Sequence, residues 1–407
     1  MSPKAYLHNC KRLISKNFIL LMLIQICNNF SQTMDTQLFT MLGQSVGMTA
    51  TAIALMATIY SVAAMCARPF SGRLTDRFSV KFWLSTVLIL RMATLLAQGF
   101  SPTGDILTFT RALNGIMFCC ITTATVATTT IVVGREMMAT GMGLINAIPA
   151  LLVSGAPAIG VAIFQAYSPA TSYVVAAASC IPAVVFVQFL TVKKPEKKSE
   201  ISAGSTNSEQ PKKKFDINNY ICIKALPVCF ITYCIVSLLF ACSILVVPMS
   251  IENGLKNVAI FFTTYSLFKA VGGIAGGMLG DLLSAKKIIV PALILDAVCS
   301  VLLANGVTDV AVGVAGALFA IAYQGVMPVT KKTAALLAPP QQRGAAISTN
   351  LLMIDIAGIT GSLIPGLLNA AFGYSVTFYA MLVFPAIGFV LYLFVARQLD
   401  ALDKKKQ

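Results

Sequence analysis

The chain has 407 residues, of which 57% are hydrophobic and only 11% are charged. Soluble globular proteins carry roughly 25% charged residues, so this composition excludes a surface covered by water and makes lipid the solvent. The formal net charge of +15 does not indicate nucleic acid, because the basic residues sit in short loops and tails between apolar runs rather than on one soluble face.

Apolar runs of the ~20 residues needed to cross about 30 Å of hydrocarbon recur from end to end. Transmembrane barrels give short alternating strands instead, so helices are predicted. A cytoplasmic N-terminal tail over 1–16 leads into spans at 17–40, 48–70, 82–100, 105–131, 141–165 and 171–191, a six-helix bundle over 17–191. The first run starts after Lys16 without a small-residue cleavage site and is too long for a signal core, so it is read as a retained span. Residues 192–216 are charged, Ser-rich and without apolar periodicity, which reads as a disordered cytoplasmic linker. Spans at 221–247, 257–280, 287–305, 309–330, 344–368 and 373–396 form a second bundle over 217–397, and a basic tail over 398–407 closes the chain. The fold class is therefore an all-α membrane protein of twelve transmembrane helices in two six-helix bundles.

Loop charges set the orientation. Basic residues mark the N-terminal tail, then Arg73, Arg77 and Lys81, then Arg135, the linker, Lys286 and Lys287, Lys331, Lys332 and Arg343, and the tail Lys404–Lys406. The alternate loops are nearly bare, Lys256 beside Glu252 being the exception. An even number of spans with both termini in the cytoplasm, in an inner membrane, fits this pattern. The eleven cysteines include no C-x-x-C pair, and the one histidine, His8, lies in the tail. Neither supports a metal site or a disulfide framework. No cofactor motif is present: the G-x-x-x-x-G-K-[ST] phosphate loop is missing.

An internal repeat links the halves. Gly72, Leu74, Asp76, Ser79 and Lys81 recur as Gly277, Leu279, Asp281, Ser284 and Lys286, at a constant offset of 205. Near that offset, Gly141 to Asn146 before Pro157 answers Gly344 to Asn350 before Pro365. Two halves in the same orientation are a parallel repeat.

On these residues the chain resembles the major facilitator superfamily, over its whole length except the linker and tails. The segment Arg68-Pro69 followed by Gly72-x-Leu74-x-Asp76-Arg77 and Lys81 is similar to that superfamily's signature between its second and third helices. Arg111-Ala112-Leu113-Asn114-Gly115 resembles the R-x-x-x-G motif of its proton-coupled members. Gly155-Ala156-Pro157-Ala158-Ile159-Gly160 resembles a degenerate antiporter motif, with Ala156 in place of the usual Gly, and on physical grounds Gly155, Pro157 and Gly160 are expected to bend or thin the fifth helix. The resemblance is to drug:proton antiporter-type efflux members. It implies that Arg68, Gly72, Asp76 and Arg77, with Gly277 and Asp281 as their repeats, form a gating latch between the halves.

Ionisable residues at bilayer depth mark function by default. Asp35 lies about 27 Å from the cytoplasmic start of the first span, at a level comparable to Arg111, and the two are expected to form a proton-coupling pair. Arg91 and Asp296 are equivalent across the repeat; each is expected to pair with a neighbour, Asp296 with Lys269, as intramembrane ion pairs. Asp355 is expected in the cavity, and Arg68 is expected to snorkel to the interface. Asn28, Gln32, Asn114, Asn146, Tyr323, Gln324 and Asn350 are the candidate polar lining, with helix–helix adhesion as their other role.

The leading reading is a secondary active transporter working by alternating access, exporting a small organic molecule in exchange for protons as a monomer in the lipid bilayer. Three others stand beside it: uptake of a small organic anion, a lipid flippase of the same fold, and a transporter-like sensor. No nucleophile–base pair suggests an enzyme.

Overall fold

The computed structural model describes residues 13–101, 103–153, 155–192, 220–257, 260–306 and 308–404. Almost all of the expected linker and most of the N-terminal tail lie outside them. The described residues form α-helices without strands: α1 (Lys16–Ser45), α2 (Ala50–Arg77), α3 (Val80–Gly99), α4 (Gly104–Val132), α5 (Met138–Leu152), α6 (Ala156–Ala166), α7 (Pro169–Ala178), α8 (Cys180–Gln188), α9 (Leu226–Glu252), α10 (Ile260–Leu282), α11 (Lys286–Ala304), α12 (Asp309–Leu337), α13 (Arg343–Ala380) and α14 (Val383–Lys404). These make twelve spans. Helices α5 and α6 together form the fifth, and α7 and α8 the sixth. Helix α13 reverses at Gly373, whose φ of 80° lies in the left-handed region, so its last turns and α14 form the twelfth. That helix runs through Lys404, into what the sequence marks as tail.

The caps carry the repeat as clearly as the loops do. Thr103 and Thr308, 205 residues apart, are the N-caps of α4 and α12, each accepting a backbone N–H three residues on. Both helices are 29 residues long, so the register holds at both ends. Side-chain caps of this kind satisfy amides that nothing inside the helix can reach.

Seven helical segments are long and apolar enough to cross a membrane by length and composition. The first, second, fifth and eighth spans are not among them. The first carries Asn28, Asn29, Gln32 and Asp35, the second Arg68, and the eighth Lys269. Of these, Asn28, Asp35 and Arg68 are buried and find polar partners inside the bundle.

Within the N-terminal half, Met34, Leu38, Leu95, Leu107 and Tyr173 form one packed core and Leu21, Leu84, Leu88 and Ile121 another. The C-terminal half is organised around α9, whose Leu238, Cys242 and Met249 pack on Phe261, Cys299 and Phe319. The halves join through α5 against α10 and α2 against α13. At one end an apolar plug spans both halves, with Phe18, Val126, Met138 and Met142 from one and Ala335, Ile347 and Leu351 from the other. That end carries Arg73, Arg77, Lys81, Lys286, Lys287 and Arg343 and is called the basic end below. Toward the opposite, bare end the halves separate: α6 packs chiefly on α1 and α7, and Leu151, Leu152, Leu267, Val271, Leu363 and Leu367 are exposed.

Helix α10 reaches two neighbours with glycine faces. A Cβ built on Gly276 meets Gly325 Cα at 2.3 Å and its carbonyl oxygen at 2.4 Å, both backbone atoms of α12. Gly276→Val is therefore expected to destabilise the C-terminal bundle by about 1–3 kcal/mol through overpacking, read as a lower unfolding temperature in detergent.

Candidate functional site

Two carboxylates close the basic end. Asp76, near the C-terminus of α2, accepts the backbone N–H of Gly344 at 2.8 Å and of Ala345 at 3.0 Å, at the start of α13. Its repeat partner Asp281, at the end of α10, accepts the N–H of Ala139 at 3.1 Å and of Thr140 at 2.7 Å, at the start of α5. Each carboxylate thus meets the partially positive end of a helix in the other half. Close approach needs Gly72 and Gly277: a Cβ on Gly72 lies 2.6 Å from Ser348 Cβ, and one on Gly277 lies 2.9 Å from the Ala139 carbonyl. Asp281 also accepts from Lys332 Nζ, and Arg77 stacks against Phe78.

Lys332 escapes detection in the sequence, where 331–343 reads as a basic loop. Helix α12 in fact continues to Leu337, and both Lys331 and Lys332 are buried. The usable signal is the apolar run 334–338, which ends only at Pro339-Pro340.

Arg68 does not snorkel. It is 6% exposed and forms a fork with Asp355 of the other half, Nε to Oδ2 at 2.6 Å and Nη2 to Oδ1 at 3.3 Å. Its third nitrogen donates to Thr122 at 3.1 Å and Thr123 at 3.4 Å on α4. A bidentate pair satisfied on every side is stable at depth where a free guanidinium is not. Asp355 therefore bridges the halves.

Asp35 and Arg111 meet, as their spacing predicts. Asp35 Oδ2 accepts from Arg111 Nη1 and from Asn114 Nδ2, the latter at 2.7 Å. Asp35 is fully buried, and its Oδ1 has no hydrogen-bond partner. The guanidinium carbon of Arg111 lies 4.1 Å from the Phe39 ring centroid and 4.4 Å from that of Tyr60, so aromatic faces support the cation as well.

The expected intramembrane ion pairs of the third and ninth spans do not form. Arg91 is bound by neutral groups, Asn28 at 2.7 Å, Gln32 at 2.9 Å and Ser31 at 3.3 Å, and it lies over the Phe118 ring. Asp296 does not pair with Lys269. It is fully buried, lies near Cys234, Cys242 and Cys299, and neither oxygen is hydrogen-bonded. Lys269 lies over the Tyr265 ring on a different face, toward the interface between the halves.

That interface holds a cavity. One lobe of about 180 Å³ is lined by Met142, Asn146, Lys269, Tyr323, Gln324 and Lys331, among others, and a neighbouring lobe of about 210 Å³ shares Asn146, Lys269 and Gln324. Of the expected polar lining, Asn146, Tyr323 and Gln324 are therefore at the cavity. Asn28, Gln32 and Asn114 are engaged by Arg91 and Asp35, while Asn350 is buried and donates to Thr232 at 2.9 Å. They join helices to one another. Gly155 stands at the break between α5 and α6, Pro157 in the first turn of α6, and Gly160 packs on Met34.

Hydrogen bonds to a charged acceptor contribute about 1.5–3 kcal/mol, so losing the charge at either latch is expected to shift the population away from the closed basic end by about tenfold or more. In Asp76→Asn and in Asp281→Asn, amide hydrogen exchange is expected to quicken in both 137–143 and 343–349. Unchanged exchange in both segments would mean that the latches do not hold this state.

The arrangement has clear relatives. The family model described as Major Facilitator Superfamily matches residues 21–251 and 229–407. No curated protein sequence matches the chain. Among solved structures it is similar to the Escherichia coli fucose:proton symporter (15% identity, TM-score 0.74, covering 93% of this chain and 98% of that one). It is also similar to a bacterial homologue of the iron transporter ferroportin in an outward-facing state (14%, TM-score 0.73, 94% and 100%). A third is the human organic anion transporter MFSD10 (14%, TM-score 0.66, 96% and 100%). At these identities the likeness is one of fold. The chain, a multi-pass membrane protein, belongs to the Major Facilitator Superfamily and has the fold of its transporters.

Proposed function

We propose that the chain is a proton-coupled secondary active transporter that works by alternating access and exports a small organic molecule. The observation that carries this is the Asp35–Arg111–Asn114 cluster, buried between α1 and α4. A proton arriving at Asp35 removes the negative partner of Arg111 and leaves the cation to the Phe39 and Tyr60 rings. The cluster therefore has two electrostatic states separated by one proton, and a change of accessibility exposes it to each side in turn.

The closed basic end and separated bare end are one half of an alternating-access cycle. By the positive-inside rule the basic end is cytoplasmic, so this state faces outward, in an inner membrane. The break at Gly155 and Pro157 gives span five a joint between its basic-end half, which carries the Asp281 contact, and its bare-end half. Together with the antiporter-like motif, it supports export. The protein would act as a monomer, with Asp355 and Arg68 reporting the state of each half to the other.

In proteoliposomes loaded with a pH-sensitive dye, Asp35→Asn is expected to abolish transport driven by a proton gradient across a panel of organic anions, cations and neutral solutes. Downhill exchange should persist. Gradient-driven accumulation equal to that of the unaltered protein would overturn the assignment of Asp35.

A further inference from the structure

We infer that the cavity between α5, α10 and α12 binds a small soluble carboxylate, with Lys269 and Lys331 as its charged contacts. This rests on the transport reading above and names the substrate class.

The inference follows from which charges are already compensated. Among the described residues, Arg111 pairs with Asp35, Arg68 with Asp355 and Lys332 with Asp281. Arg91 donates from both terminal nitrogens to neutral oxygens and does not line the cavity. Lys269 and Lys331 line the cavity, and among the described residues neither has a carboxylate within ion-pair distance. No acidic residue lines either lobe; Asp296 lies away from them, near the thiols of Cys234, Cys242 and Cys299.

A buried ammonium at Lys331 and a half-buried one at Lys269, without an internal counter-charge, are costly in a low-dielectric interior, and an anion relieves that cost. Arg68 adds to it, because it acts electrostatically on Lys331. A cationic solute would instead meet two like charges and no carboxylate, which is discrimination by repulsion. Asn146, Gln324 and Tyr323 add neutral hydrogen-bonding groups around the lysines, and Met142, Met327 and Ile354 add apolar wall. Sites for drug-sized ligands run to about 300–1,000 Å³. Lobes of about 180 and 210 Å³ are each sized for a small metabolite-sized acid, and a drug-sized ligand would have to fill both.

The adjacent lysines divide the work. Consecutive helical residues point about 100° apart. Lys332 therefore reaches Asp281 on α10 while Lys331 reaches the cavity floor. Lys269, nine residues into α10, supplies charge from the neighbouring wall.

The test is thermal unfolding of the purified full chain in detergent against probes of matched skeleton: benzoate, benzamide and benzylamine, with succinate as a dicarboxylate and phosphatidylglycerol as an anionic lipid. Benzoate or succinate is expected to stabilise the protein, and the amide and amine are not. Lys269→Gln and Lys331→Gln should each weaken the carboxylate effect by about tenfold or more, the cost of one charged hydrogen bond, whereas Lys269→Arg should retain it. The variants are first checked for a monodisperse profile, so misfolding is not scored as lost binding. The inference is overturned if benzylamine stabilises as well as benzoate, or if neither carboxylate stabilises at tens of millimolar. It also fails if only the lipid acts, or if both Gln variants bind as the parent does. Because binding is read without a proton gradient, a failure here is separate from a failure of the Asp35 assignment.

Discussion

A carboxylate facing the start of a helix in the opposite half holds this structure in its present state, and the chain makes that contact twice. Asp76 meets Gly344 and Ala345; Asp281 meets Ala139 and Thr140. The four amides lie in the first turns of α5 and α13, where helical N–H groups lack internal partners. Each contact therefore satisfies donors that would otherwise need water, and does so with a full negative charge against a helix dipole. The bond is strong enough to close one end of the bundle and simple enough to break as a unit. Small residues at Gly72, Gly277 and Gly143 make the approach possible, and the apolar plug around Met138, Ile347 and Leu351 seals what the carboxylates draw together.

The closure is symmetric, but the charges behind it are not. Arg91 and Asp296 occupy equivalent positions and are both fully buried, yet only Arg91 is hydrogen-bonded, through its two terminal nitrogens. Its partners Asn28, Ser31 and Gln32 on α1 correspond across the repeat to Tyr233, Val236 and Ser237 on α9, which offer no amide group. Likewise Asp35 and Arg111 correspond to Phe240 and Gly316. The N-terminal half has a polar interior, in which a buried carboxylate meets a buried guanidinium. The C-terminal half has an apolar core around α9 and places its lysines toward the interface instead. Chemistry has been divided between two halves of one architecture.

What the sequence makes legible follows from this division. The twelve spans, the offset of 205 and the latch carboxylates are periodic or repeated, and repetition is visible without coordinates. The Asp35–Arg111 pair was accessible because depth along two helices can be counted from their ends. Contacts across the halves leave no such trace. Asp355 sits 287 residues from Arg68, and nothing local shows that a guanidinium near a helix end turns inward instead of toward the interface. The Lys269–Asp296 pair fails for a related reason: similar depth does not give facing, and the two residues lie on helix faces turned to different neighbours. Backbone amides, which do half the work of the latch, have no residue type to read.

Lys331 and Lys332 set a cavity-lining cation beside one that binds a latch carboxylate. The two are consecutive on α12, three and four residues after Pro328, where the helix lacks one backbone donor. One side chain faces the cavity and the other binds the latch carboxylate. Lys332 and Asp281 belong to the same half, so their contact can persist when Asp281 leaves the amides of α5. The cavity is lined from both halves, with Met142 and Asn146 on one side and Lys269, Gln324 and Lys331 on the other, so a separation of the halves would change the contacts of any solute held there. Such a difference is what allows a ligand to shift a conformational equilibrium. In this chain it would require no long pathway, because α5 carries both the cavity wall at Met142 and Asn146 and the amides that meet Asp281.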